Sequence, residues 1–172
     1  MNSRKRFPVK RTVYMQTTGR LLPRRISQIL RELNSNFTVW INPSQGNGID
    51  LKVWYGCELI IAGESLNWSI KSRLSEKRRE NMISNLHEFS CRKLLVYTPT
   101  HENKHISKFI ENGIDLLDIG YQLLPRFYYN FYLKKGQVVK REIDCAKTKN
   151  DIKKKIVSYL KKHYPHIGIY QH

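Results

Sequence analysis

Acidic side chains are scarce in this chain. Against 31 Lys+Arg there are 14 Asp+Glu in 172 residues, leaving a net charge of +17. Such an excess predicts attraction to polyanions, with nucleic acid the first candidate. A membrane surface fits less well, because no basic segment has one long apolar face. Cysteine is also rare: Cys57, Cys91 and Cys145 are scattered, with no CxxC pair and no zinc spacing. Buried, inert, reduced thiols in a cytosolic setting are the simplest account. Six histidines are present without an HExxH pair, so a zinc hydrolase has no support. No run of about 18 apolar residues occurs, so no membrane span is expected. The N-terminus, MNSRKRFPVKR, is basic but lacks the apolar stretch of a signal peptide. A cytoplasmic protein is therefore expected.

What is present is a real core. A hydrophobic fraction of 40% argues against global disorder, and the length favours one domain. Residues 1–17 read as a flexible basic arm, either a solvated tail or a DNA contact. LLPRRISQILREL (21–33) has Leu22, Ile26, Ile29, Leu30 and Leu33 at helical spacing, with Pro23 in a first turn. FTVWI (37–41) reads as a strand, and NPSQGNG (42–48) as a loop. IDLKVWY (49–55) and ELIIAGESL (58–66) form a hairpin through a tight turn at Gly56-Cys57. Alternation puts Asp50 and Lys52 on one face, and Ile49, Leu51, Val53 and Tyr55 on the other. The second arm is apolar on both faces, as an interior strand is.

A helix is expected from about Ser72 to Phe89, capped by Ser72 or Ser75. Then come a strand at 93–98, a helix near 103–112 and a strand within 113–124. A further hairpin turning at Lys135-Gly136 and a helix over 150–163 complete the chain. Strands alternating with helices imply an α/β sandwich around a mixed central sheet. The expected organisation is an arm (1–17), a core (18–124), and a C-terminal hairpin and helix (125–172) packed on the same domain.

Within this frame one pair of acids stands out. Asp50 and Glu64 lie on the two arms of the hairpin, 14 positions apart with a tight turn midway, so folding brings them together. Adjacent carboxylates repel unless protonated or bridged by a cation. In a chain built to attract phosphate, that suggests a divalent metal at a nucleic-acid backbone. Asp50 beside a Gly-rich loop also fits a turn residue. Glu64 also fits an ion pair with Lys52 or Lys71.

The order of elements around GID (48–50) and GES (63–65) resembles the PD-(D/E)XK superfamily, the restriction-endonuclease-like nucleases that include archaeal Holliday junction resolvases. The resemblance covers residues of about 20–120. It implies a restriction-endonuclease-like sandwich holding Mg²⁺ or Mn²⁺ on Asp50, Glu64 and the Ser65 carbonyl. Glu32 matches an extra acid that some members carry on the first helix, although an exposed helix acid is the plainer reading. The family lysine belongs two residues after Glu64, where this chain has Leu66. Lys71 is the first candidate to replace it, Lys77 and Lys52 the others. Asn67 is a candidate contact to the scissile phosphate or water.

Arg73, Lys77, Arg78 and Arg79 follow the acids, and Arg24 and Arg25 add charge on the first helix; all are candidate phosphate contacts. EKRRE (76–80) also reads as a solvated helix face. The aromatic run Phe127, Tyr128, Tyr129, Phe131 and Tyr132 reads as strand core or a dimer interface before a base-stacking platform. The expected function is a metal-dependent DNA endonuclease for branched or single-stranded DNA, acting as a homodimer. The alternative is a non-catalytic basic DNA-binding protein on a degenerate nuclease fold. An RNA-processing nuclease is a third reading. Abundant Lys, Ile, Tyr and Asn suit an AT-rich genome, archaeal or viral.

Overall fold

Hydrophobic patterning here sorts into two apolar layers, one on each face of a sheet. The computed structural model describes residues 11–43, 48–68, 73–98, 103–120, 122–124 and 145–169. In chain order its elements are α1 (Arg11–Leu33), β1 (Phe37–Ile41), β2 (Leu51–Tyr55), β3 (Glu58–Leu66), α2 (Glu76–His87), β4 (Arg92–Tyr97), α3 (Asn103–Glu111), β5 (Asp115–Asp118) and α4 (Cys145–His163). The chain is thus an α/β protein, with a five-stranded mixed sheet in the order β1-β2-β3-β4-β5. The first three strands are antiparallel, while β3, β4 and β5 run parallel. No helix among the described residues is long and apolar enough to cross a membrane.

Sequence and architecture connect through the crossovers. β3-α2-β4 and β4-α3-β5 step the same way along the sheet, and a fixed crossover hand places both helices on one face. Met82, Leu86 and Phe109 accordingly pack with Ala62, Leu66 and Leu95. On the other face α1 and α4 cover Leu51, Val53, Ile61, Leu94 and Val96. The α1 residues picked out by spacing, Leu22, Ile26, Ile29, Leu30 and Leu33, are all buried there. Each such side chain contributes roughly 1.5–3 kcal/mol.

Several boundaries differ from expectation. Helix α1 begins at Arg11, so residues 11–17 are helical and not part of an irregular arm. Pro23 therefore lies inside the helix, where it removes the N–H that would bond the carbonyl four residues back. Pro23 is itself buried. Helix α2 starts at Glu76, because Ser75 caps it by accepting from the Arg78 N–H at 3.2 Å. Helix α4 starts at Cys145, not 150. The expected hairpin around Lys135-Gly136, with its aromatic run, lies outside the described residues.

The β2–β3 hairpin turns on Gly56 and Cys57. Gly56 has φ 61, the first position of a two-residue turn that favours glycine. Cys57 is exposed at this tip, so the expectation of a buried thiol fails there. At the other end of the hairpin, regular pairing starts at Leu51↔Gly63. Residues 48–50 precede the strand, and the alternation breaks: Ile49 joins the α2–α3 layer while Leu51 and Val53 join the α1–α4 layer.

Candidate functional site

Glu64 alternates with Ala62 and Leu66 and so faces the α2–α3 layer, near the C-terminal end of β3. Asp50 comes beside it through the hairpin: the Asp50 N–H donates to the Gly63 carbonyl at 3.0 Å. The absence of a side chain at Gly63 makes room for Leu51 on the paired strand, whose Cγ would lie 3.0 Å from a Cβ there. Ser65 then donates to Asp50 Oδ2 from its backbone N–H at 2.7 Å and from its hydroxyl at 3.2 Å. Ser65 thus meets the pair through its donors. Its carbonyl as a ligand remains what the resemblance implies.

The two carboxyl groups differ in electrostatics. Glu64 is 5% exposed, and its Oε1 is buried with no hydrogen-bond partner. Burial pushes the Glu64 carboxyl up to about 10, helped by the charge of Asp50 and a hydrogen bond with it. The Arg78 guanidinium partly opposes this. Without a metal, burial therefore favours the protonated Glu64 carboxyl.

These residues fit a hard divalent cation. Two carboxylates converge, and one buried oxygen lacks a partner that a cation would supply. A bound cation would also offset the burial and the Asp50 charge that favour a protonated Glu64. The donor set is small: no group of three or more His, Cys, Asp and Glu suited to a metal occurs among the described residues. Such a cation would keep several waters, as Mg²⁺ usually does.

The remaining expected residues scatter. Glu32 pairs with Lys149 on α4, in the helix layer across the sheet from Glu64. Arg24 shares a shallow surface cavity with Arg31 and Glu32, and Arg25 bonds Gln28 at 3.3 Å, so both belong to that far layer. Lys52 does share the face of Glu64, but its ammonium lies over the rings of Trp40 and Phe89, at 4.8 and 5.2 Å. Leu66 is 1% exposed within the α2–α3 core. Lys71 lies outside the described residues. Asn67, expected at the phosphate, is instead a buried clamp: its amide donates to the Leu123 carbonyl at 2.8 Å, and its Oδ1 accepts from the Leu123 N–H at 2.7 Å.

Arg73 and Lys77 are exposed, and Arg79 turns inward to His105 Nδ1 at 3.0 Å. Arg78 alone of this cluster is tied to the acid pair, by the charge effect on Glu64. Its guanidinium stacks over Trp68 at 4.8 Å. Trp68 is held in turn by Thr98, whose hydroxyl accepts from the Trp68 N–H at 2.8 Å and donates to its carbonyl. Trp68 and Thr98 carried no signal in the sequence, since both are ordinary residues at strand ends. The cap at Ser75 was the readable signal for Arg78, because it fixes Arg78 in the first turn of α2. The first turn also holds Lys77 and Arg79, against the helix dipole, which favours an anion there. Compared with known proteins, the chain matches no family model and no curated protein.

Proposed function

We propose that the chain is a metal-dependent DNA endonuclease on a restriction-endonuclease-like sandwich, selective for branched or single-stranded DNA in the manner of a Holliday junction resolvase. The observation that carries this reading is the Asp50–Glu64 pair, with a buried, partnerless Glu64 oxygen at the C-terminal end of a parallel strand. Ligands of open α/β sheets favour that end. Mg²⁺ or Mn²⁺, when bound, supplies an acidified water and shields charge on the phosphate. The chain's own residues supply the rest. Ser65 orients the Asp50 carboxyl group through its two donors. Arg78, over the Trp68 ring, presents a guanidinium suited to two phosphate oxygens at once. Lys71 is the amine that would take the family lysine's role. A homodimer with twofold-related sites would cut paired strands symmetrically. A cytoplasmic location follows from the same reading.

Purified protein with Mg²⁺ or Mn²⁺ cleaves branched or single-stranded DNA on this reading, and Asp50→Ala and Glu64→Ala each abolish cleavage. Undiminished cleavage by both variants overturns it.

One observation favours a second reading, a non-catalytic DNA-binding protein on the same fold. Leu66 fills the lysine position as a core residue. Calorimetric titration separates the two. Saturable Mn²⁺ binding that is lost in Asp50→Asn supports the nuclease, whereas DNA binding without any metal site supports the binder.

A further inference from the structure

Helix α4 carries Lys149, Lys153, Lys154, Lys155, Lys161 and Lys162 between residues 149 and 163, with Asp151 as its only acid there. Crowding like charges on a helix costs stability unless something offsets it. Ile152, Ile156, Val157 and Leu160 face the sheet. The flank toward β5 is built from two columns at i, i+4 spacing: Lys154, Ser158 and Lys162, then Lys155, Tyr159 and His163. Together with Asp115–Leu117 of β5 they enclose a cleft of about 480 Å³.

The acid in this cleft is already spent. Asp115 pairs with Arg92 at 3.0 Å and accepts from the Tyr159 hydroxyl at 2.6 Å. Lys154 and Lys162 are exposed, and Lys155 donates to the Asp118 carbonyl. The cleft is therefore net positive with its carboxylate neutralised. The His163 ring packs on Tyr159 with centroids 4.5 Å apart. Burial lowers its pKa first, and Arg92 and Lys162 add to that against the opposing pull of Asp115.

We propose that the β5–α4 cleft is a second surface for the phosphodiester backbone of a nucleic acid. It lies across the sheet from Asp50 and Glu64: Asp115 alternates with Leu117, which packs with the α1–α4 layer. Lys154 and Lys162 are eight residues apart, about 12 Å along a helix. That span exceeds one phosphate and suits several linked ones. The inference rests on nucleic acid as the partner, but not on cleavage.

The test is the salt dependence of binding to labelled branched DNA, with the full chain and a chelator present so that no cleavage occurs. Lys154→Ala/Lys162→Ala should lower the magnitude of the slope of log K against log salt by about two, because each lost phosphate contact removes roughly 0.9. Lys161→Ala, on a different column, should leave the slope unchanged. An unchanged slope in the double variant overturns the proposal, as does an equal fall per lysine in Lys161→Ala, which would mean diffuse charge only. By NMR, DNA should raise the His163 pKa at concentrations where inorganic phosphate does not. An equal rise with inorganic phosphate would show a small-anion site and overturn the assignment to nucleic acid. An inactive wild type that retains the Lys154/Lys162 slope effect would refute the nuclease reading and leave this one standing.

Discussion

Asp50 accepts two hydrogen bonds from Ser65, at 2.7 and 3.2 Å, while the neighbouring Glu64 keeps a buried oxygen with none. One carboxyl is thus held by two donors, while burial raises the pKa of the other. Both conditions come from a single hairpin end, where the chain before Leu51 leaves the regular ladder.

The first consequence is a pH dependence of stability. The Glu64 carboxyl titrates near its ordinary value in the unfolded chain and at about 10 in the fold. The folded state therefore holds a proton that the unfolded state releases. Its stabilising effect is complete below about pH 4.5 and is lost as pH rises toward 10, at no more than about 1.4 kcal/mol per pH unit. Chelator-treated protein should melt at progressively lower temperature across this window. Glu64→Gln should flatten the profile, and Mn²⁺ should restore stability most at the alkaline end. A wild-type profile no steeper than that of Glu64→Gln would refute the assignment.

Ser65→Ala removes one of the two donors to Asp50 and keeps the backbone N–H. The expected loss is about 1 kcal/mol of stability, as for a typical side-chain hydrogen bond. Calorimetry should show metal affinity reduced only a few-fold, in contrast to its disappearance in Asp50→Asn.

The α/β class and the hairpin were legible because they rest on local patterns, alternation and a Gly-bearing turn; the register shift between Val53 and Trp54, which changes the pairing from that set at Tyr55↔Glu58 to Leu51↔Gly63 and so helps bring Asp50 to Glu64, was not. The second layer of interactions was not. Asn67 looked available to a ligand because nothing local reveals Leu123, which lies 56 residues away and consumes its amide. Glu32 looked like a site acid, since its partner Lys149 comes from a helix 117 residues further on. The full length of α1 was not legible, because Pro23 resembles a helix start yet lies buried inside the helix.

Asn67→Ala tests the clamp directly. It deletes both hydrogen bonds and leaves the N–H and carbonyl of Leu123 unpaired in a buried setting. Stability should fall by about 2–4 kcal/mol, from roughly 1–3 kcal/mol for each stranded group after partial relaxation. Metal affinity at 4 °C, where the variant remains folded, should be close to wild type. A stable variant with abolished DNA cleavage would instead return Asn67 to the phosphate.

The last prediction concerns which cation completes the site. Leu66→Lys restores the family spacing, but it buries an ammonium in the α2–α3 core, where Leu66 packs with Leu74 and Met82. It should cost at least about 3 kcal/mol and add no activity. Arg78→Ala removes an exposed guanidinium whose stacking on Trp68 is worth only about 0.5–1 kcal/mol, so the protein should stay folded. If Arg78 contacts the phosphate, cleavage should fall by about 10²-fold or more, with Arg78→Lys recovering part of it. The same substitution removes a charge that holds the Glu64 pKa down, so the pH profile of metal binding should move to higher pH. That shift distinguishes a group acting at the acid pair from one that merely shapes α2. Full cleavage in Arg78→Ala together with none in Lys71→Ala would assign the role to the lysine instead.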